Sequence, residues 1–200
     1  MSDPTRDELI QDFPELSDPY AVLEKEIYAH FGRLFFSFSL VEDILITAVT
    51  IHGAFADVKS GKVGSKSTWS ETFDRHFELA KTHTFGTLSR LIEKVPEFSG
   101  LSRALESTKR KRDYFAHHFF RDEVSYFGSP DGCWLLLLKI EAVVRESKAL
   151  EAQLSERADK LYQRIGFVKP TQEYVLETIE REYNEAHRRV IAGSPKMGWE

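Results

Sequence analysis

At 200 residues and 42% hydrophobic content, the chain is long enough to bury one sizeable core, which excludes a fully disordered protein. The single cysteine, Cys133, excludes an intrachain disulfide and fits a reducing cytoplasm. The acidic, polar N-terminus does not resemble a signal peptide, and the longest purely apolar run, Cys133 to Leu138, is much shorter than the ~20 residues that span a bilayer. We therefore expect a cytoplasmic protein without membrane contact.

Charge is distributed unevenly along the chain. The net charge of -5 argues against nucleic-acid binding over the whole surface, because such binding depends on neutralising phosphates. One segment, from Arg103 to Arg121, nevertheless holds six basic residues against two acidic ones, a local charge of +4. Its basic residues are Arg103, Lys109, Arg110, Lys111, Arg112 and Arg121. The segment is either a solvated helix face or a surface for an anionic partner.

The first strong helical pattern follows a polar segment. We expect residues 1–17 to be flexible and a helix to begin near Pro19, because Asp18 can cap a helix and proline suits the first helical position. Apolar residues then recur at three- and four-residue steps, which predicts one long amphipathic helix over 19–52.

The middle of the chain predicts further helices and one hairpin. Two short helices are expected around 69–80 and 84–95, and a longer helix over 98–120 carries the basic segment. Two runs rich in aromatic and aliphatic residues flank the turn-forming sequence Gly128-Ser-Pro-Asp-Gly132, which predicts a small β-hairpin at about 123–137.

The remaining sequence predicts two more helices. Near-heptad apolar spacing indicates a helix over 138–165 that ends at Gly166, and Thr171 can cap a last helix. Residues 193–200 are expected to be flexible. The predicted fold is a single all-α domain over 18–192, an up-and-down bundle of five to six helices with one inserted hairpin.

One carboxylate falls on the apolar face of the first long helix. At about 100° per residue, Glu42 lies roughly 40° from Phe38, inside the apolar stripe, whereas Arg33 lies on the opposite, solvent-facing side. Burying an unpaired carboxylate costs several kcal/mol, so Glu42 either reaches solvent at a groove or pairs with a donor from another helix. We expect the planar guanidinium of Arg112 to be that donor.

A polar cluster lies near the end of the helix that carries the basic segment. Arg112, Asp113 and His117 share one half of the helix surface, and Phe115 and Phe119 lie on the other. Asp113 precedes His117 by one helical turn, so the carboxylate is expected to hold one imidazole nitrogen and leave the other free. Histidine can move a proton near neutral pH, and arginine can stabilise a phosphate whose negative charge increases. These residue types suit phosphodiester chemistry.

The sequence from Arg112 through Asp113 to His117 resembles the Arg-x4-6-His motif, often Arg-Asn/Asp-x3-His, of the HEPN superfamily. The early helix Phe31-Gly-Arg-Leu-Phe-Phe-Ser-Phe-Ser-Leu-Val-Glu42 and the place of the motif near a helix end are similar to that family as well. The resemblance covers roughly Pro19 to Phe120. It implies a helical bundle that commonly forms homodimers, with two motif copies in one cleft. Many members are metal-independent endoribonucleases, often toxins or effectors of phage defence.

The resemblance also implies roles for individual residues. Arg112 would stabilise the scissile phosphate, and His117 would transfer a proton or position the phosphate during attack by the 2'-hydroxyl. Asp113 takes the polar position after the arginine, and Glu42 corresponds to a polar residue that some members supply from an earlier helix. His118 also satisfies the looser motif, but on the wheel it lies beside the phenylalanines, so we prefer His117.

The neighbouring basic side chains would contact RNA phosphates, and no metal or cofactor is expected. These residues are Lys109, Arg110, Lys111 and Arg121.

Two other functions remain open. The same cleft would serve a non-catalytic module that binds a nucleotide, RNA or a protein, and the acidic remainder of the chain and the heptad-like pattern over 143–165 favour an interaction role. A metal-dependent hydrolase is disfavoured, because no carboxylates and histidines have ligand spacing. The expected partners are a second copy of the chain, RNA, and an antitoxin or another regulatory protein.

Overall fold

The computed structural model describes residues 5–17, 23–63 and 66–166, and in the last part of the chain residues 176–177, 179–181, 183–185 and 188. The chain divides into two compact units, Met1–Leu161 and Tyr162–Glu200. All regular structure in the described ranges is helical, which confirms the predicted all-α class and helical bundle.

Seven α-helices are described. They are α1 (Arg6–Asp12), α2 (Leu23–Lys59), α3 (Lys66–Lys81), α4 (Phe85–Ile92), α5 (Ser102–His117), α6 (Phe119–Asp122) and α7 (Pro130–Ile165). Three short 3-10 helices lie between them, at Pro14–Ser17, Pro96–Phe98 and Val124–Gly128.

The described part of the N-terminal segment, residues 5–17, is largely helical, and its predicted flexibility stays a prediction. Thr5 and Glu8 form a reciprocal capping box that satisfies the first amides of α1. Leu9 from α1 and Leu16 from the following 3-10 helix are both buried in the core. Burial of these two leucines removes apolar surface from water and so holds the segment against the bundle.

Helix α2 contributes many core residues of the first unit, and it continues past the predicted end at residue 52 to Lys59. Its buried residues recur at helical spacing, among them Ile27, Leu34, Phe38, Val41 and Leu45. By length and composition alone, α2 is apolar enough to cross a membrane, with a window of mean hydropathy 1.9, of which 44% is buried in this fold. A core helix of a water-soluble bundle meets the same criterion.

The core contains residues from helices that are far apart in the sequence of the first unit. Leu34 and Phe38 of α2 belong to one buried cluster with Phe115 at the end of α5 and Phe119 of α6. The N-terminal half of α7 contributes further members, including Trp134. The end of α5 is therefore fixed against α2 and α7, and this contact positions the polar cluster predicted from the sequence.

The predicted hairpin at 123–137 is wrong: this segment is a 3-10 helix followed by the first turns of α7. Ser129 has extended backbone angles, and its hydroxyl accepts a hydrogen bond from the Gly132 amide at 3.1 Å. Pro130 follows as the first helical residue, so Ser-Pro-Asp-Gly starts a helix rather than forming a turn between strands. A Cβ on Gly132 would lie 2.1 Å from the Tyr126 carbonyl oxygen, so glycine permits this close approach of backbone.

Helix α7 ends where the sequence predicted. Gly166 has a φ of +71°, the left-handed conformation that commonly follows a helix and that glycine adopts without strain. The predicted last helix, from Thr171, lies largely outside the described residues. Within that stretch the residues that are described are helical.

Candidate functional site

The polar cluster lies where α5 ends and the chain changes direction. The His118 amide donates to the Tyr114 carbonyl at 2.8 Å, and the His118 carbonyl accepts from the Asp122 amide at 2.8 Å, so His118 links α5 to α6. Phe115 and Phe119, on either side of this junction, are buried, whereas His117 and His118 are exposed. Burial of the phenylalanines fixes which face of the junction is open to solvent.

The predicted pair between Glu42 and Arg112 is confirmed. Arg112 Nη2 lies 3.5 Å from Glu42 Oε2, and the two side chains are 35% and 23% exposed. Glu42 is thus neither buried without a partner nor directed into bulk solvent. A half-buried carboxylate restricts the guanidinium while leaving part of it accessible.

Asp113 does not hold His117 as the sequence suggested. Its carboxylate accepts a hydrogen bond from Lys109 Nζ at 2.6 Å, and Arg112 Nη1 lies 4.0 Å from the other oxygen. No hydrogen bond between Asp113 and His117 occurs in the described part of the chain. Both Lys109 and His117 lie one turn from Asp113, and a permanently charged ammonium attracts the carboxylate more strongly than a neutral imidazole does.

His118 is held by its neighbours. Arg121 Nη2 lies 2.6 Å from His118 Nδ1, and the His118 ring stacks on Tyr114 with centroids 6.4 Å apart. Because arginine only donates, Nδ1 is the acceptor in this contact. His117 makes an edge contact with the His118 ring, and no hydrogen bond to its side chain occurs among the described residues.

Most of the basic segment is neutralised within the protein. Lys109 pairs with Asp113, Lys111 with Glu146, and Arg121 with Asp122. Together with Arg112, four of the six basic side chains have a carboxylate partner. Across the described ranges, Arg103 and Arg110 make no ion pair. The local charge of +4 therefore overstates the positive surface that is available to a partner.

A second polar network adjoins the cluster, and the sequence did not reveal it. The Tyr114 hydroxyl donates to Glu123, and Lys139 Nζ donates to the Tyr114 oxygen at 3.0 Å and also to Glu123. Burial and the hydrogen bond to Glu123 raise the pKa of Tyr114, and the Lys139 ammonium holds the pKa of Glu123 below its usual value. Tyr114 lies inside the motif, but Glu123 was assigned to the predicted hairpin, and Lys139 lies 25 residues after Tyr114, so no local pattern joined them.

The third polar group is buried between α2 and α7. The Glu141 carboxylate pairs with Arg33, and its Oε2 lies 3.7 Å from His30 Nδ1. The expectation that Arg33 faces solvent is wrong: its guanidinium also lies 5.4 Å from the centre of the Phe13 ring. Burial acts to raise the pKa of Glu141, but the contacts with His30 and Arg33 outweigh it and lower the pKa.

Comparison of the chain with family profiles, with characterised proteins and with solved structures gave no match.

Proposed function

We propose that this protein is a metal-independent endoribonuclease of the HEPN type that acts as a homodimer. The observation that carries the proposal is the Arg112 guanidinium, restrained by Glu42 and partly exposed, on the same helix end as an exposed His117. The reaction class comes from the sequence resemblance. An up-and-down arrangement of five to six helices is also part of this proposal.

The chemistry follows from these two side chains. A 2'-hydroxyl oxygen attacks the adjacent phosphorus, the bond to the 5'-oxygen breaks, and the products end in a 2',3'-cyclic phosphate and a 5'-hydroxyl. The attacking hydroxyl loses one proton and the leaving oxygen gains one, so a histidine from each subunit would serve as base and acid. Arg112 stabilises the negative charge that increases on the phosphoryl oxygens.

His117 is the better choice for proton transfer than His118. Nδ1 of His118 accepts from Arg121, and its ring stacks on Tyr114, so only Nε2 is available to a substrate. The exposed His117 side chain can approach an RNA backbone without breaking such a contact. In this proposal Asp113 fixes Lys109 beside the phosphate path, in place of the orienting role predicted for it.

A surface beside the motif supports the homodimer. Phe120, three residues after His117, packs against Tyr28 with ring centroids 5.6 Å apart, and both rings are partly exposed. On the same helix as Tyr28, Phe36 is 64% exposed. Exposed aromatic side chains are enriched in protein interfaces. A second copy of this chain at that surface would bring two motifs close together.

The test is cleavage of end-labelled RNAs of varied sequence by the purified protein in the presence of a chelator. We expect products with 2',3'-cyclic phosphate ends, and losses of about 100-fold or more for Arg112→Ala and for His117→Ala. Arg103→Ala, on the same helix and exposed, is the matched control and should retain activity. The proposal fails if the wild type cleaves none of the RNAs, or if both site variants cleave as fast as the wild type.

The neutralised basic segment favours one alternative, a non-catalytic module that binds RNA through few phosphate contacts. Binding without cleavage, with a shallow dependence of affinity on salt concentration, would support this alternative. Arg110→Ala should then weaken binding, since Arg110 makes no ion pair among the described residues, while the RNA remains intact.

A further inference from the structure

A pocket of about 240 Å³ lies away from α5, between the second half of α2, helices α3 and α4, and the turn after α4. Its apolar walls are aliphatic, and its polar contribution comes from histidines and one lysine. The aliphatic residues are Val49, Leu79, Ala80, Leu91 and Val95, and the nitrogen-bearing ones are His52, His76, His83 and Lys94. No carboxylate is among the lining residues.

His76 is fixed at the edge of this pocket by the nearest carboxylate. Its Nε2 lies 2.9 Å from Asp57 Oδ2, and Asp57 also accepts hydrogen bonds from Lys62 at 2.9 Å and Arg75 at 3.0 Å. The hydrogen bonds from His76 and Lys62 lower the pKa of Asp57 to about 2, so the carboxylate is fully ionised near neutral pH. The negative charge of Asp57 is compensated by Lys62, Arg75 and His76. The pocket lining itself contains no negative group.

Gly53 leaves the space that the His76 ring occupies. A Cβ at position 53 would lie 2.7 Å from His76 Nδ1, so only glycine allows the imidazole to lie against α2. Glycine within a helix costs roughly 0.5–1 kcal/mol relative to alanine. At position 53 this loss of helix stability accompanies a defined position of the His76 ring in the pocket wall.

We propose that this pocket binds a small monocarboxylate with an aromatic or aliphatic body, a site independent of the RNA-cleaving function proposed above. The aliphatic wall accepts the apolar body, because its burial removes apolar surface from water. Lys94 provides the positive charge for a single carboxylate, and the His83 imidazole carries a ring N–H that can donate to it. The volume suits a small acid.

A metal ion is a weaker match for the same histidines. The described residues contain no group of three histidine, cysteine or acidic side chains arranged to hold one. An anion requires only donors around it, whereas a metal requires converging ligands at short distance.

The test is an NMR titration of the uniformly labelled full chain with phenylacetate and hexanoate, each compared with its neutral amide. We expect both acids to shift the amide resonances of Gly53, His83 and Val95 in a saturable manner. The amides, which have the same shape without the charge, should bind at least threefold more weakly.

Two variants and a control separate the parts of the proposal. Lys94→Gln should weaken binding of the acids about three- to fivefold and leave the amides unchanged, and Lys81→Gln, an exposed lysine on α3 outside the pocket, should change neither. Leu91→Trp should fill the pocket and abolish binding of all four compounds, with thermal unfolding used to establish that the variant is folded. The proposal is overturned if no compound gives saturable shifts, if the amides bind as tightly as the acids, or if Lys94→Gln binds the acids like the wild type. None of these outcomes affects the RNA cleavage test, which depends on α5.

Discussion

Two arginine–glutamate pairs connect α2 to other helices, and they differ in burial and surroundings. Glu141 of α7 is 9% exposed and lies close to Arg33, His30 and Arg145. Glu42 of α2 is 23% exposed, and among the described residues its one ion pair is with Arg112. The Glu141 carboxylate is buried between α2 and α7. The Glu42 carboxylate lies on the open side of α5, beside the motif.

The difference indicates separate roles for chemically similar pairs. A buried carboxylate with several cations contributes to folding, because removing it leaves positive charge without compensation in a poorly solvated place. A half-exposed pair contributes little to stability, since water screens both charges. The Glu42–Arg112 pair therefore needs an explanation other than stability, and the proposed cleavage provides one, because it requires a restrained arginine.

The largest expected effect comes from breaking the buried pair. Glu141→Gln should lower the free energy of unfolding by about 3 kcal/mol, the lower end of the range for such pairs because Arg33 remains a third exposed. Urea unfolding at pH 7 measures this change. Glu146→Gln, which removes the exposed partner of Lys111 from the same helix, is the control and should cost less than about 1 kcal/mol. Equal losses for the two variants would contradict the contrast in burial.

Lowering the pH should reduce the contribution of the Glu141–Arg33 pair to the free energy of unfolding, by less than Glu141→Gln does. Because the pKa of Glu141 in the folded state is lowered, its contribution to stability is complete above the ordinary value of 4.5 and is lost as pH falls through the lowered value. Glu141→Gln should therefore flatten the curve of unfolding free energy against pH below about 4.5. The slope that remains should come partly from Asp57, between 3.8 and about 2. Parallel curves for wild type and variant below pH 4.5 would rule out this linkage.

The smallest change in stability is expected at the exposed pair. Glu42→Gln should lower the free energy of unfolding by less than about 1 kcal/mol, yet reduce RNA cleavage, because Arg112 loses the restraint that fixes its orientation. Urea unfolding and the cleavage assay, performed on the same preparation, separate the two effects. A loss of stability comparable with that of Glu141→Gln, together with unchanged cleavage, would reverse the roles assigned to the two pairs.

The Glu42–Arg112 contact was predictable because periodicity is a local property. A carboxylate inside an apolar stripe must either reach solvent or find a partner, and Arg112 was the partner that the motif offered. The same helical wheel predicted that Arg33 faces solvent, which is wrong. The stripe shows where one face packs, but it does not show that Phe13 and Glu141 cover a second side of α2.

The hairpin prediction failed because its turn residues have two uses. Serine, proline, aspartate and glycine favour a turn between strands, and the same residues favour the first turn of a helix. The buried Trp134, Leu137 and Ile140 follow helical spacing, whereas the exposed Leu135 interrupts the continuous run that suggested a strand. The His30 and Glu141 contact joins residues 111 positions apart in the chain, so no local pattern indicated it.

Cys133 provides a natural reporter of movement at the start of α7. The thiol is buried, with its sulfur 3.9 Å from the Phe127 carbonyl oxygen, and burial raises its pKa. A thiol reagent reacts with the exposed thiolate, so labelling must wait until this part of the bundle opens. The rate of labelling therefore reports how often the junction between the 3-10 helix and α7 opens spontaneously. Since this is the chain's one cysteine, the measurement requires no engineered label and no correction for other thiols.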